Sequence, residues 1–135
     1  MKPGESITLT LESDFESVRQ ALSKIIPKIQ PILDAEKAVM VELALAETLN
    51  NVVEHAYGEK GGNEINVDLA YDGAALCCSI IDHGIANPSL ANIEENASQP
   101  GDMAEGGYGN NLINMLASQI EYYREGERNL TKVWF

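Results

Sequence analysis

The sequence predicts an α/β (α+β) two-layer sandwich in which a mixed, largely antiparallel sheet carries helices on one face. Three observations lead there. Ser6 to Glu12 and Glu64 to Tyr71 alternate apolar and polar residues with the period of a half-buried strand. The stretch between them is helical in pattern and, from Asp34 onward, apolar on nearly every side. The C-terminal part closes with two short strand-like runs around a polar turn.

Each element follows from local chemistry. In the first strand Ile7, Leu9 and Leu11 alternate with Thr8, Thr10 and Glu12. Ser13 and Glu16 then form an S-x-x-E capping box, which predicts a helix starting near Asp14 and bent or ended by Pro27 and Pro31. A second helix is expected after Asp34 and runs to about Tyr57. Its apolar residues, Val39, Met40, Leu43, Leu45, Leu49, Val52 and Val53, predict a central, buried position. Asp72-Gly73 reads as a two-residue hairpin turn joining Glu64–Tyr71 to an apolar strand, Ala74 to Ile81. From about 84 to 106 there is no periodicity, which predicts a lid. A helix over Asn110 to Ser118 and a hairpin turning around Glu125 to Arg128 complete the order β-α-α-β-β-lid-α-β-β.

The chain has 135 residues, 44% of them apolar, and no repeat or linker, so one domain over 1–135 is expected. The longest apolar stretch, around Ala38 to Ala46, is broken by Glu42 and too short for a bilayer, and no signal peptide pattern opens the chain. These features place it in the cytoplasm, away from membranes. Cys77 and Cys78 are adjacent, so in a strand they point to opposite faces and read as reduced thiols. Twenty-one acidic residues against nine Lys and Arg give a formal charge of −12, which excludes a nucleic-acid surface. An anionic ligand would depend on backbone N–H groups and a divalent cation.

Three places break the local rules. Glu47, Asn51 and His55, at i, i+4 and i+8, form a polar stripe on the apolar helix, with Glu54 beside them. It reads either as a solvated face or as a site where Asn51 ligates Mg²⁺ and Glu47 acts as general base, His55 being a packing residue. Asp82-His83-Gly84 ends the apolar strand. That is ordinary turn chemistry, or else a half-buried carboxylate that accepts from the amino group of a base, with Gly84 letting the backbone approach the ring. Gly106-Gly107-Tyr108-Gly109 opens a helix, as a hinge or as a phosphate cradle of backbone N–H groups. No Walker-type P-loop and no early G-x-G-x-x-G is present.

The order of these boxes, together with Glu42-Leu-Ala-Leu-Ala-Glu-Thr-Leu-Asn-Asn-Val-Val-Glu-His-Ala-Tyr57 and Glu105-Gly-Gly-Tyr-Gly-Asn-Asn-Leu-Ile113, resembles the GHKL (histidine-kinase-like, Bergerat-fold) ATPase superfamily. Within it, the chain resembles the anti-sigma regulatory serine kinases of the RsbW type. The resemblance implies Glu47 as catalytic base, Asn51 as Mg²⁺ ligand, Asp82 as adenine reader, Gly84 as the glycine beneath the base, and Gly107 and Gly109 as phosphate holders. It also implies ATP and Mg²⁺ as cofactors, phosphorylation of a STAS-type anti-anti-sigma factor, sequestration of a sigma factor or equivalent regulator, and a homodimer.

Residues 83–108 contain no Lys or Arg, so the charge on a moving phosphoryl group would have to be met by Mg²⁺ or a partner's cation. Three rival readings are a histidine kinase, a non-catalytic ATP-binding partner-switching module, and an unrelated α/β scaffold that binds no nucleotide. The first lacks room for a dimerising hairpin with a phosphoacceptor histidine.

Overall fold

The computed structural model describes residues 1–87 and 113–135. The described elements run β1 (Ser6–Glu12), α1 (Phe15–Ile29), a 3₁₀ turn (Gln30–Ile32), α2 (Ala35–Asn51), a π-helical segment (Val52–Ala56), β2 (Glu64–Tyr71), β3 (Leu76–Asp82), β4 (Gln119–Glu125) and β5 (Arg128–Trp134). A helical turn at 113–116 precedes β4. The sheet order is β1-β2-β3-β5-β4, and each of these pairings is antiparallel. Helices lie on one side of it, as the two-layer expectation requires.

Alternation within the strands makes one face of the sheet the floor of the core. Ile65, Val67 and Leu69 of β2 and Leu76, Cys78 and Ile80 of β3 point inward and are buried, and Val133 continues that face on β5. Val18, Leu22, Ile25 and Ile29 on α1, and Val41, Leu45 and Leu49 on α2, cover them at helical spacing. Cys77 lies on the opposite face from Cys78, and neither forms a disulfide.

Several local expectations are corrected. The N-cap of α1 is Asp14, whose Oδ1 accepts from Ser17 N at 2.7 Å. Ser13 instead donates to Lys60 O and accepts from Asn63 N, tying the end of β1 to the approach to β2. Pro27 does not end α1: the helix continues to Ile29 because Ile25, Ile26 and Ile29 anchor its last turn in the core.

The β2–β3 connection has four residues, 72–75, rather than two, since Tyr71 pairs with Leu76. Asp72 closes it by accepting from Ala74 N and Ala75 N at 2.8 and 2.7 Å, which holds its carboxyl below the usual range. The β4–β5 hairpin turns through Gly126 and Glu127, with Glu125 paired to Arg128 as expected.

The second helix begins at its expected cap, Asp34, which accepts from Lys37 N. It is not buried all round, because Val39 is 64% and Leu43 44% exposed. One face looks to the sheet and α1, and the opposite one to solvent.

Candidate functional site

The helix carrying Glu47 and Asn51 changes pitch directly after Asn51. Val52–Ala56 is π-helical, and Tyr57 N donates to Val52 O at 3.1 Å. Such bulges often sit at functional sites because they re-aim side chains by part of a turn. Asn51 is 6% exposed, Glu47 and His55 are half-buried, and Glu54 is exposed. The stripe thus runs from solvent at Glu54 to the interior at Asn51. His55 Nε2 lies 3.9 Å from Glu54 Oε2.

Asp82 ends β3 on the inward face. Register places Asp82 opposite Ile65 on one side and Asn129 on the other. Its Oδ1 accepts from Asn129 Nδ2 at 2.8 Å and from Gly84 N at 2.9 Å, and among the described residues nothing donates to Oδ2. The residue is 1% exposed, and burial raises its pKa against the opposing pull of those two donors, Arg124 and His83. One oxygen of this buried carboxylate is therefore held by two donors, and the other keeps its capacity to accept.

Asn129 organises this corner with all four of its hydrogen-bonding positions. Nδ2 also donates to Ile85 O at 2.7 Å, while Oδ1 accepts from Tyr122 Oη and from Arg124 Nη1. Arg124 Nη1 donates in turn to Gly84 O at 2.6 Å, and Tyr122 Oη accepts from Asn87 N at 2.9 Å. Two residues along β5 on the same face, Thr131 is 1% exposed, and its Oγ1 has no partner among the described residues. An orphaned buried hydroxyl costs roughly 1–3 kcal/mol, so its presence beside Asp82 is unusual for a structural position.

The chain after Asp82 is clamped onto the π segment. Ile85 N donates to Ala56 O at 2.9 Å, and Asn87 Nδ2 lies 3.5 Å from Asn51 O. A Cβ at Gly84 would stand 2.4 Å from Ala56 O and 2.6 Å from Ala56 C, so the glycine has a packing reason of its own. Tyr57 Oη pins the far end, donating to Glu64 O and accepting from His83 N, each at 2.7 Å. These clamps join the end of α2, with Glu47 and Asn51, to the end of β3, with Asp82 and Gly84. Gly107 and Gly109 lie outside the described residues, as does the expected lid from 88 onward.

Asn129 and Thr131 were not singled out from the sequence, and Tyr57 entered only as the end of the Glu42–Tyr57 segment. The signal was available for the first two: polar residues at the inward positions of the closing strand, in register with Ile80 and Asp82.

Asp82 is buried and no described residue donates to its Oδ2, and the buried hydroxyl of Thr131 has no partner among the described residues; these are the groups that could meet the polar edge of a base. The described residues hold no cluster of three or more His, Cys, Asp or Glu that could ligate a metal. A divalent cation there would rely on Asn51 and on phosphate oxygens, which suits Mg²⁺.

Antiparallel sheet, one helical layer and a polar corner at the ends of β3 and β5 together define a two-layer α/β domain. The chain belongs to the histidine kinase-like ATPase domain family, whose profile matches residues 7–135. Its fold is also similar to the RsbU and RsbW domains of Rv1364c from Mycobacterium tuberculosis, with TM-score 0.69 and 18% identity, over 98% of this chain and 32% of that one. The chain therefore spans about a third of that solved structure's length. No curated protein sequence matches it significantly. No described helix is long and apolar enough to cross a membrane.

Proposed function

We propose that the chain is an ATP-dependent serine/threonine protein kinase and anti-sigma factor of the RsbW type. It phosphorylates a STAS-type anti-anti-sigma factor and sequesters a sigma factor or equivalent regulator according to the phosphorylation state. The single observation that supports the nucleotide part is that two inward residues of the neighbouring strands β3 and β5 keep unused hydrogen-bonding capacity, the buried Asp82 at Oδ2 and Thr131 at its orphaned hydroxyl.

In this reading Asp82 accepts from the adenine amino group, Thr131 satisfies its hydroxyl on the same base, and Gly84 keeps the β3 end seated on Ala56. Gly107 and Gly109 hold phosphates through backbone N–H groups. Asn51 contributes its side-chain oxygen to Mg²⁺, which supplies charge neutralisation on the phosphates when bound. Glu47 takes the proton of the acceptor serine hydroxyl as that oxygen bonds to the γ-phosphorus. The bond from that phosphorus to the β,γ-bridging oxygen breaks, and ADP leaves with the bridging electrons.

The absence of Lys and Arg from residues 83–108 favours one second reading, a non-catalytic ATP-binding partner-switching module. Pull-down with and without Mg-ATP, followed by mass spectrometry of bound proteins and their phosphosites, separates the two. The kinase reading expects one bound protein to gain phosphoserine or phosphothreonine only with ATP. The module reading expects nucleotide-dependent capture with no phosphoprotein. Capture of a STAS-domain protein in one state and a sigma factor in the other would support the switch. Such capture should weaken with salt if the acidic surface steers it.

A further inference from the structure

The exposed residues of α2 are not scattered. Val39 and Leu43 are one turn apart and continue, at steps of four, to Glu47 and Asn51, so the apolar pair and the site stripe form one row along the helix. Beside Val39 a groove of about 410 Å³ extends the apolar surface to Leu33 and Ala38, with Glu42 on its rim. Glu36, Glu42 and Glu54 are exposed around this face. The sole cation of α2, Lys37, lines a different pocket together with Glu36, Met40 and Val41.

We propose that this face of α2 docks the protein that receives the phosphoryl group, through an apolar patch on that partner ringed by Lys and Arg. The inference rests on the kinase reading for the identity of the transferred group, and on the geometry of α2 for the location. Exposed Val39 and Leu43 want an apolar partner surface, whereas Glu36, Glu42 and Glu54 on a chain of charge −12 select a cationic rim and disfavour a second copy of this chain. A partner seated on Leu43 lies one helical turn from Glu47, toward which its hydroxyl must reach. Its basic rim also brings the cation that residues 83–108 do not contain.

The test places a photo-crosslinking benzoylphenylalanine at Val39 of the full chain, with a control at Thr8 on the opposite face of the sheet, and irradiates in cells with ATP present. The expected adduct at position 39, and not at the control, is with the protein that gains phosphoserine or phosphothreonine, through a peptide with Lys or Arg flanking apolar residues. The double variant Val39→Asp/Leu43→Asp should keep the Mg-ATP melting shift of the unmodified chain while raising KM for that protein about tenfold or more, with kcat little changed. A second copy of this chain as the adduct, no adduct at 39 while phosphoprotein forms, or an unchanged KM in the double variant would each overturn the proposal. If no phosphoprotein forms at all, the kinase reading fails. An adduct at 39 with a basic-rimmed protein then still supports the docking face, and its absence rejects it.

Discussion

Asn129 Nδ2 bridges Asp82 Oδ1 at 2.8 Å and Ile85 O at 2.7 Å, fixing a buried carboxylate and the backbone that follows it with a single nitrogen. No described residue donates to the second carboxylate oxygen. Because burial raises the Asp82 pKa, it takes up its proton at higher pH than an ordinary aspartate, and the protonated form is a poorer acceptor for an amine than the ionised one.

Nucleotide affinity should therefore fall as pH drops through the raised Asp82 pKa and be restored above it. The sign for apo stability is opposite. A carboxyl whose folded pKa is raised costs stability when ionised, so this residue favours the fold more on the acid side of that pKa. Titrating Mg-ATP by calorimetry across the acidic range checks the first effect. Asp82→Asn should remove the pH dependence while leaving apo melting at neutral pH unchanged or slightly raised, since the amide oxygen still accepts from Gly84 and Asn129.

Thr131→Val removes the orphaned hydroxyl at nearly constant volume. The apo protein should gain about 1 kcal/mol in urea unfolding, because a buried group without a partner disappears. Mg-ATP affinity should fall several-fold, by roughly 0.5–1.5 kcal/mol, the worth of one neutral hydrogen bond. A loss of stability with unchanged affinity would make the hydroxyl structural.

Gly84→Ala drives a methyl into the Ala56 carbonyl, where backbone must yield. The expected cost is about 1–3 kcal/mol of stability, with weaker nucleotide binding because the Ile85–Ala56 hydrogen bond is displaced. Chemical denaturation and calorimetry on the same preparation read both.

How much of this was legible beforehand depended on whether the determinant was local. The strands of 6–12 and 64–71 and the caps at Asp34 and the 125–128 hairpin follow from alternation and turn chemistry within a few residues. Asp14 displaced Ser13 as the cap because Ser13 is claimed by Lys60 and Asn63, partners nearly fifty positions away. Likewise, Val39 and Leu43 read as core until the sheet and α1 take the other faces of α2. At the site, Asp82 stood out because a carboxylate ended an apolar run. Asn129 and Thr131 did not, since their meaning comes from register with β3, which no local pattern contains.

The roles of Glu47 and Asn51 separate in kinetics. Glu47→Ala should abolish phosphotransfer to a verified antagonist while sparing Mg-nucleotide binding, and Asn51→Ala should weaken binding more. Single-turnover transfer from labelled ATP gives the rate, and calorimetry gives the affinity. Transfer by Glu47→Ala at the normal rate would assign the base elsewhere.

The proposed reading of adenine by Asp82 is tested most directly by calorimetric titration of the full chain and of Asp82→Asn with Mg-ATP and Mg-GTP at neutral pH. The unmodified chain should bind Mg-ATP at least about tenfold more tightly than Mg-GTP, a difference of about 1.4 kcal/mol, and Asp82→Asn should lose that preference. Equal affinities for the two nucleotides in the unmodified chain, or an undiminished preference in Asp82→Asn, would contradict it.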